Sequence, residues 1–409
     1  MTEFQKDYET YKIALLVSLA CVLQISESLI PHPIPGLRLG LANLLTLTTL
    51  VLLGFRSALE VAVLRAILSS FILGTFMSPG FILSLSGAVI STLIMGFFYW
   101  LSGLHPRYRL SIIGISIIGA FSHNMVQLYL AYLLLVKHEG IFVFLPWLSI
   151  GAVATGWVVG MVAGGVCRKL AEVPKPDMLE RIWPDTDAPV TRHYVPGSSF
   201  VHRLHAGVKI AAIFSLAIGV LIFSNFWFYL GLFFFLVVVM IVSQTPIAFI
   251  FSRARRYTSL VGVAFLLPVF FNEGTEVVAT LMSFKLTHEG LSNGTLFASR
   301  ILFLMVSSFL LMRTTSPEQM TRGFAVILSP LKYLGISEQR IATILSFAWA
   351  AFPNLWETAR RAIIKANLKK VKNLRKLLPL LSNMIAILYI ETEPQKQTAQ
   401  SAYPAKIDV

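Results

Sequence analysis

The sequence is poor in charged residues: Asp, Glu, Lys and Arg together make up only 13% of its 409 positions. An ordinary soluble domain carries about 25%. Hydrophobic residues reach 56%, and the mean hydropathy is +0.73. A soluble fold of this length cannot bury so many apolar side chains, so many of them must face lipid. The scarcity of charge therefore excludes an ordinary soluble protein and predicts a polytopic membrane protein whose first partner is the lipid bilayer.

Cysteine and the common catalytic motifs are also scarce or missing. Cys21 and Cys167 are the only cysteines, and both lie in or at the end of apolar runs, which predicts small buried hydrophobes rather than a disulfide framework or metal site. The sequence has no Gly-x-x-x-x-Gly-Lys-Ser/Thr loop for ATP. It also lacks an Asp-Asp-x-x-Asp pair that would hold Mg²⁺ against a diphosphate. We therefore expect no metal, no cofactor and no enzymatic activity, and any ATPase must be a separate subunit.

Apolar runs of membrane-crossing length are abundant. A helix needs about 20 mostly apolar residues to cross the hydrocarbon. Such runs predict an all-α, polytopic helical membrane protein with a six-span bundle followed by a module of four to five spans. The last apolar run, 377–390, is short, and it predicts either a span or a membrane-surface helix. The other runs lie at 13–30, 39–55, 58–77, 81–102, 111–135, 144–167, 206–223, 226–244, 258–272 and 295–313.

A polar, proline-rich segment divides the chain. It reads CRKLAEVPKPDMLERIWPDTDAPVTRHYVPGSS and has the composition of a linker between two membrane modules. We therefore predict four parts. They are a six-span module at 1–168, a cytosolic linker at 169–199, a second module at 200–391 with spans to about 313 and cytosolic helices at 316–376, and a polar tail at 392–409.

The basic residues of the connections favour one side of the membrane. With the N-terminus in the cytoplasm, the outside loops of the first half hold only Arg38 and Lys137, and the RARR turn at 253–256 falls inside. Positive charge on the inside predicts a multi-pass protein of the cell (inner) membrane with a cytoplasmic N-terminus. The net charge of +14 is explained by this orientation, and we find no nucleic-acid-binding signature. The other inside cations of the first half are Lys6, Lys12, Arg56, Arg107, Arg109, Arg168 and Lys169.

The second half resembles a transporter subunit in three separated segments. They are FVHRLHAGVKI at 200–210, SRILFLMVSSFLLMRTTSPEQM at 299–320 and SPLKYLGISEQRIATILSFAWAAFPNLWETARRAI at 329–363. Over most of 200–380 these segments are similar, in the same order, to the transmembrane (T) component of energy-coupling-factor (ECF) transporters. The resemblance implies a membrane component of an ABC importer whose cytosolic helices dock onto separate ATPase subunits.

Local signals place the cytosolic helices of this half. Thr315 or Ser316 can cap a helix whose first turn begins at Pro317, and a second helix from Ser337 is expected to be broken or redirected near Pro353.

The resemblance places the ATPase-coupling motif at residues 365–367. Lys365, Ala366 and Asn367 stand where the family carries Ala-Arg-Gly, so the usual arginine is absent and Arg360 or Arg361 would have to substitute. The alternative is that the closely spaced cations of this stretch bind anionic lipid headgroups and hold the helix at the membrane surface, with each cation contributing about 1 kcal/mol. Both interpretations stay open.

Two segments of the first half carry another resemblance. PIPGLRLGLANLLTL at 33–47 and SHNMVQLYLAYLLL at 122–135, with the six-span count, resemble the family labelled heptaprenyl diphosphate synthase component I, also called Gx transporters. That family is similar to the solute-binding S components of ECF systems. Over about 10–168 the resemblance therefore implies an S-like module that binds a small-molecule solute.

Candidate ligand residues cluster near the start of this module. Asn43, with the N-terminus of the second span, can present amide donors to an anion, and Arg38 lies near that point. Arg65 falls in mid-span, where a charge must face an interior, a partner or a pocket. The alternative interpretation of Arg65 is a structural ion pair with Glu60 or Glu27. Glu27 is also the best acidic candidate for a ligand contact.

Three further polar residues share one face of the fifth span. His123, Asn124 and Gln127 are helical neighbours, and they either line a pocket or hydrogen-bond across helices. In the first span, Ala14 and Ser18 form a small-xxx-small pair that permits close helix approach. The S-component resemblance implies that this surface docks on the T-like module.

Two functional hypotheses follow from the sequence. The first is a membrane component of an ECF-type importer in which an S-like module captures a solute and a T-like module docks ATPase subunits. The second is a membrane anchor for a prenyl (heptaprenyl) diphosphate synthase or another soluble enzyme. Recovery of paired ATPases or of a prenyl synthase as the partner discriminates between them.

Overall fold

The computed structural model describes residues 3–28, 40–73, 75–104, 110–136, 139–172, 194–255, 258–271, 277–281, 284–327, 338–366 and 374–391. These ranges contain fifteen α-helices and one two-stranded sheet. Five helical segments are long and apolar enough to cross a membrane, and five further apolar helices have 10–17 residues. The chain is therefore a multi-pass membrane protein, while the number of spans in each module stays a prediction.

The first half forms six long helices at the positions of its six apolar runs. Gly54, with φ +89°, is the single residue between the second and third of them, a backbone conformation that favours glycine. Ser111 caps the fifth, since its Oγ accepts a hydrogen bond from the backbone N–H of Gly114 at 3.1 Å. The helices are α1 (Glu3–Ser28), α2 (Leu41–Leu53), α3 (Phe55–Leu73), α4 (Pro79–Leu104), α5 (Ile112–Ala131) and α6 (Leu145–Glu172).

The second half contains nine helices of more varied length. Three of them, at 206–222, 226–242 and 258–271, match predicted apolar runs, and the last helix covers the short run at 377–390. In order they are α7 (Phe200–Arg203), α8 (Ala206–Ile222), α9 (Phe226–Val242), α10 (Ile247–Ala254), α11 (Thr258–Phe271), α12 (His288–Thr314), α13 (Pro317–Ile327), α14 (Glu338–Ala366) and α15 (Leu374–Glu391).

The prediction of an all-α fold is confirmed by the fifteen helices of the described ranges, and one short segment departs from it. Strands β1 (Val277–Leu281) and β2 (Phe284–Thr287) form an antiparallel hairpin between α11 and α12. Alternating β-branched and apolar residues such as VVATL favour a strand. The hairpin ends at Thr287, whose Oγ1 accepts from Gly290 N at 3.1 Å and caps α12. As a result α12 begins at His288, seven residues before the predicted run that starts at 295.

Helix α1 lies inside the molecule rather than at its lipid-facing surface. From Ile13 to Ile25 every side chain except Gln24 is buried. The helix packs against α2 and α3 of its own half and against α14 of the other half. The two halves therefore share one apolar core, and α1 is the element that joins them.

Helix α14 supplies the matching surface from the second half. Its buried residues recur every three or four positions, as expected for one face of an amphipathic helix. Of the two predicted outcomes at Pro353, the break is wrong, because α14 continues through this proline to Ala366, and the redirection of the helix stays a prediction. Packing of the apolar face on both sides of Pro353 maintains the helix despite the missing backbone N–H. The buried residues are Ile341, Ile344, Leu345, Ala348, Phe352, Leu355 and Ala359.

Aromatic rings form a second bridge between the halves. The ring centroids of Phe71 and Phe76 each lie 5.1 Å from that of Phe324 in α13. Phe76 also approaches Phe214 of α8, with centroids 6.4 Å apart in an edge-on arrangement. Such tilted and edge-on pairs are the favoured geometries of aromatic packing, so α3 and α13 are held together by more than apolar area.

Candidate solute site and module interface

The first half encloses a cavity that most of the predicted ligand residues line. Its volume available to water is about 50 Å³, enough for a few water molecules and well below the roughly 300–1,000 Å³ typical of drug-sized ligand sites. The cavity lies among α1, α2, α3, α4, α5 and α6. Six of the seven predicted ligand residues line it, namely Glu27, Asn43, Arg65, His123, Asn124 and Gln127; the seventh, Arg38, lies outside the described residues.

Arg65 is the central cation of this cavity. Its side chain is buried, and its Nη1 donates to Gln24 Oε1 at 3.0 Å while its Nη2 donates to Asn43 Oδ1 at 2.5 Å. The two amide oxygens fix the guanidinium without bringing a negative charge. Gln24 was not predicted from the sequence as a cavity residue. It lies one helical turn before Glu27, and a polar side chain within an apolar span could have identified it.

Glu27 organises the start of α2. Its Oε1 accepts from Gly40 N at 2.9 Å, and Gly40 has φ +70° as the residue before the helix. A carboxylate close to a helix N-terminus is stabilised by the helix dipole. Glu27 therefore has a structural task as well as a place in the cavity wall.

The three polar residues of α5 show both predicted roles, which are to line a pocket and to hydrogen-bond across helices. All three line the cavity, and Asn124 Nδ2 also donates across to Leu148 O in α6 at 3.1 Å. The His123 imidazole fits because residue 87 of α4 is glycine: a Cβ there would lie 2.9 Å from two atoms of the ring. The close approach of α4 and α5 thus sets the position of the imidazole.

Glu60 serves the interface between the halves. Its Oε2 accepts from Nη2 of Arg340, the third residue of α14, at 3.1 Å. Glu9 of α1 lies 3.8 Å from the same nitrogen. The carboxylate of Glu60 is 4% exposed and the Arg340 side chain 22%, so the pair is largely removed from solvent. Glu60 therefore pairs with Arg340 rather than with Arg65. The other predicted alternative, a pair of Arg65 with Glu27, stays a prediction.

The predicted coupling residues lie at the far end of α14. Arg360 and Arg361 are exposed, as a surface that contacts another subunit requires. Lys365 and Ala366 form the end of the helix, and Asn367 lies outside the described residues.

The predicted docking pair lies in α1. Ala14 and Ser18 are 2% and 0% exposed, in the helix that packs along α14. Whether this pair makes the docking contact stays a prediction.

A second polar arrangement fixes the start of α13, the first of the helices that the sequence predicts to be cytosolic. Lys209 of α8 donates from Nζ to Thr314 O at 2.8 Å and to His202 O at 3.3 Å, so its ammonium covers the carboxyl end of α12. Ser316 caps α13 as predicted: its Oγ accepts from Gln319 N at 3.3 Å, and Gln319 Oε1 accepts from Ser316 N at 3.2 Å. This reciprocal pair is a capping box.

Protein families match the two halves separately. Residues 16–166 match the family described as heptaprenyl diphosphate synthase component I, and residues 197–400 match the family described as cobalt transport protein. The two matches leave the predicted linker between them.

Relatives of the second half are energy-coupling factor transporter transmembrane proteins. The protein from Listeria innocua is 29% identical over 173 residues, which are 42% of this chain and 65% of the relative. That from Bacillus subtilis is 28% identical over 184 residues, 45% and 69% respectively, and that from Thermosediminibacter oceani is 28% identical over 197 residues, 46% and 74%. The chain therefore spans about two thirds of the length of the curated relatives it matches.

Proposed function

Because the chain is a fusion of a heptaprenyl diphosphate synthase component I module with a cobalt transport protein module, as its motifs predicted, we propose that it is a membrane component of an ECF-type ABC importer. The first module binds a small polar solute, and the second docks separate ATPase subunits. Neither module is itself an enzyme. The N-terminus and the helices α13 and α14 lie on the cytoplasmic side.

The observation that carries this proposal is the convergence of charged and amide side chains on one cavity of the first half. Arg65 and Glu27 bring opposite charges to it, and the amides and imidazole of α1, α2 and α5 bring donors and acceptors. Such groups are costly inside a membrane protein unless they serve binding or packing. The cation at its centre favours a solute with a negatively charged group. With about 50 Å³ available to water, a solute larger than a few atoms enters only when the helices separate.

The contact of α1 with α14 supports the coupling part of the proposal. A displacement of α14 by an ATPase acts directly on the helix that carries Gln24 and Glu27. Covalent fusion also keeps two docking modules at a high effective concentration. In this mechanism the movement of the coupling helix is transmitted to the cavity through α1.

The proposal that the first module binds a solute is tested by mass spectrometry of small molecules extracted from the purified full chain. We expect a compound that is retained by the wild type and depleted at least about tenfold in Arg65→Gln, since hydrogen bonds to a charged group contribute about 1.5–3 kcal/mol. Gln127→Leu serves as a second cavity variant if the arginine variant fails to fold. Gln339→Leu, at an exposed position of α14, is the matched control. Equal retention in all four proteins would contradict the solute site.

The coupling arm is tested by affinity purification in detergent followed by identification of bound subunits. We expect ATPase subunits with the wild type and a loss of them with the double variant Arg360→Glu, Arg361→Glu. Arg203→Glu, another exposed arginine, should retain them. The docking of ATPase subunits would be contradicted if no ATPase is recovered from wild-type membranes and solute uptake is insensitive to ATP depletion.

The family description of the first module favours one second candidate. In that alternative the chain anchors a prenyl (heptaprenyl) diphosphate synthase at the membrane through its basic cytosolic helix. The same purification distinguishes the two, because the anchor would bring a soluble prenyl diphosphate synthase in place of ATPase subunits.

A further inference from the structure

The second half contains a buried arginine that neither the solute cavity nor the coupling surface uses. Arg300 lies in the middle of α12 and is 1% exposed. Its Nε donates to the Tyr229 hydroxyl at 3.3 Å, its Nη2 donates to Ser224 Oγ at 3.2 Å, and its guanidinium lies 5.4 Å from the centroid of the Phe297 ring. The side chain is therefore held in place by neutral groups.

These neutral groups do not neutralise the charge of Arg300. Within the described ranges no carboxylate forms an ion pair with it, and its Nη1 has no hydrogen-bond partner. Desolvating a charge inside a membrane protein is costly unless an opposite charge or a wet cavity compensates it. A buried arginine without a counter-charge favours the binding of a negatively charged group nearby.

A cavity of about 350 Å³ lies directly beside the residues that hold the guanidinium. Ser224 and Tyr229 form part of its wall, and so does Ser299, the neighbour of Arg300 in the chain. Ser224 Oγ accepts from Arg300, so its own proton stays available to a molecule in the cavity. Ser292 and Thr295 add two more hydroxyls along α12.

The rim of this cavity is apolar. Phe226 and Leu291 both line it and are 69% and 45% exposed. The cavity follows the first half of α12, from His288 to Ser299, and so lies at the end of the module opposite the contact of Lys209 with Thr314. In the proposed orientation this end faces the outer leaflet.

Arg300 itself does not line the cavity; its guanidinium lies behind the wall residues Ser224 and Tyr229. We propose that this cavity binds the phosphate group of an anion through the hydroxyls of Ser224 and α12, with the positive charge of Arg300 behind that wall as its counter-charge. An unscreened buried cation attracts an anion over several ångströms, and the hydroxyls supply the hydrogen-bond donors. The phosphate belongs either to a phospholipid headgroup, whose chains lie against Phe226 and Leu291, or to a free phosphate ion. The site is independent of the solute cavity of the first half.

The test measures binding by thermal unfolding of the full chain in lipid-free detergent. One arm titrates sodium phosphate against sodium chloride at equal ionic strength, and the other titrates short-chain phosphatidylglycerol. We expect the wild type to be stabilised in at least one arm, since a ligand that binds the folded state raises its stability. Arg300→Gln should weaken the apparent affinity at least about tenfold, because it removes the positive charge beside the cavity that attracts the phosphate.

Two further variants make the outcome decisive. Ser292→Leu fills the cavity from an exposed position and leaves Arg300 intact, so it should abolish the stabilisation even if Arg300→Gln fails to fold. Arg313→Gln removes another arginine of α12, 13 residues and so about 20 Å further along the helix. It lies over the Phe249 ring at 4.9 Å, whereas Arg300 bonds the wall residues Ser224 and Tyr229, and this variant should respond like the wild type. Stabilisation by phosphate assigns a free ion, and stabilisation by the lipid alone assigns a headgroup. No stabilisation in either arm, or an equal response of Ser292→Leu, overturns the proposal.

Discussion

At the scale of single residues, the spacing of α4 and α5 sets the shape of the solute cavity. Gly87 leaves room for the His123 ring, and a Cβ there would lie 2.9 Å from Cε1 and Nδ1 and 3.2 Å from Gln127 Cγ. We expect Gly87→Val to lower the free energy of unfolding by about 1–3 kcal/mol, the usual cost of overpacking. Gly103→Val is the matched control, since the same helix has open space at that position. Similar losses for both, measured by denaturation in mixed micelles, would show that the His123 contact is unimportant.

The Glu60–Arg340 pair gives a second prediction at this scale. Arg340→Ala leaves the carboxylate of Glu60 buried without the cation it bonds, so we expect a loss of at least about 2 kcal/mol in unfolding free energy. The double variant Glu60→Gln, Arg340→Ala should lose less than the sum of the losses of the single variants Glu60→Gln and Arg340→Ala. Arg360→Ala, an exposed arginine of the same helix, should change stability by about 0.5 kcal/mol or less. Additive losses in the cycle would exclude a direct interaction.

The residues that sequence reasoning found and missed differ in a physical way. A polar side chain in an apolar run is visible locally, so Glu27, Arg65 and the α5 trio were found, although nothing local shows that they meet. Glu60 and Arg340 are 280 positions apart, and the sequence offered the nearby Arg65, not Arg340, as a partner for Glu60. Their pairing follows from the contact of α3 and α14, which no local pattern encodes.

At the scale of elements, apolar length predicted nearly every long helix, because the hydrocarbon thickness sets one requirement for all of them. The β-hairpin was missed because its nine residues interrupt a region that was assigned to a loop. The continuity of α14 through Pro353 was also missed, since tertiary packing on both sides of the proline decides it.

The contact of α15 with α6 is testable with two adjacent glycines. A Cβ at Gly165 would lie 2.5 Å from Ser382 Oγ, whereas Gly164 has open space. Ser382 Oγ also donates to Val162 O at 3.2 Å. We expect Gly165→Val to displace α15 and to increase amide hydrogen exchange in residues 374–391 at least about tenfold, because local opening free energies fall when packing is lost. Gly164→Val should leave exchange unchanged, and equal protection in both variants would contradict the docked position of α15.

At the scale of the whole molecule, the two modules form a single packed body. The α1–α14 contact, the α6–α15 contact and the Phe71–Phe76–Phe324 aromatic cluster all join them. We therefore expect the linker to be dispensable once the modules are assembled.

Cleavage of the linker tests this statement. A protease site inserted between residues 173 and 193, with a different tag on each half, allows the chain to be cut after purification. We expect both halves to elute together in size-exclusion chromatography, since the shared core keeps them bound. The same cleavable protein carrying Gly165→Val and Arg340→Ala provides the weakened reference. Prompt separation of the unmodified halves would mean that the tether alone holds them.

The packing of α1 on α14 has a consequence for the stoichiometry of the two modules. A first module made as a separate chain could not pack on α14 in the same way, because α1 of this chain already covers that face. Under the proposed function, each second module therefore works with the first module of its own chain, in the one-to-one ratio that translation fixes.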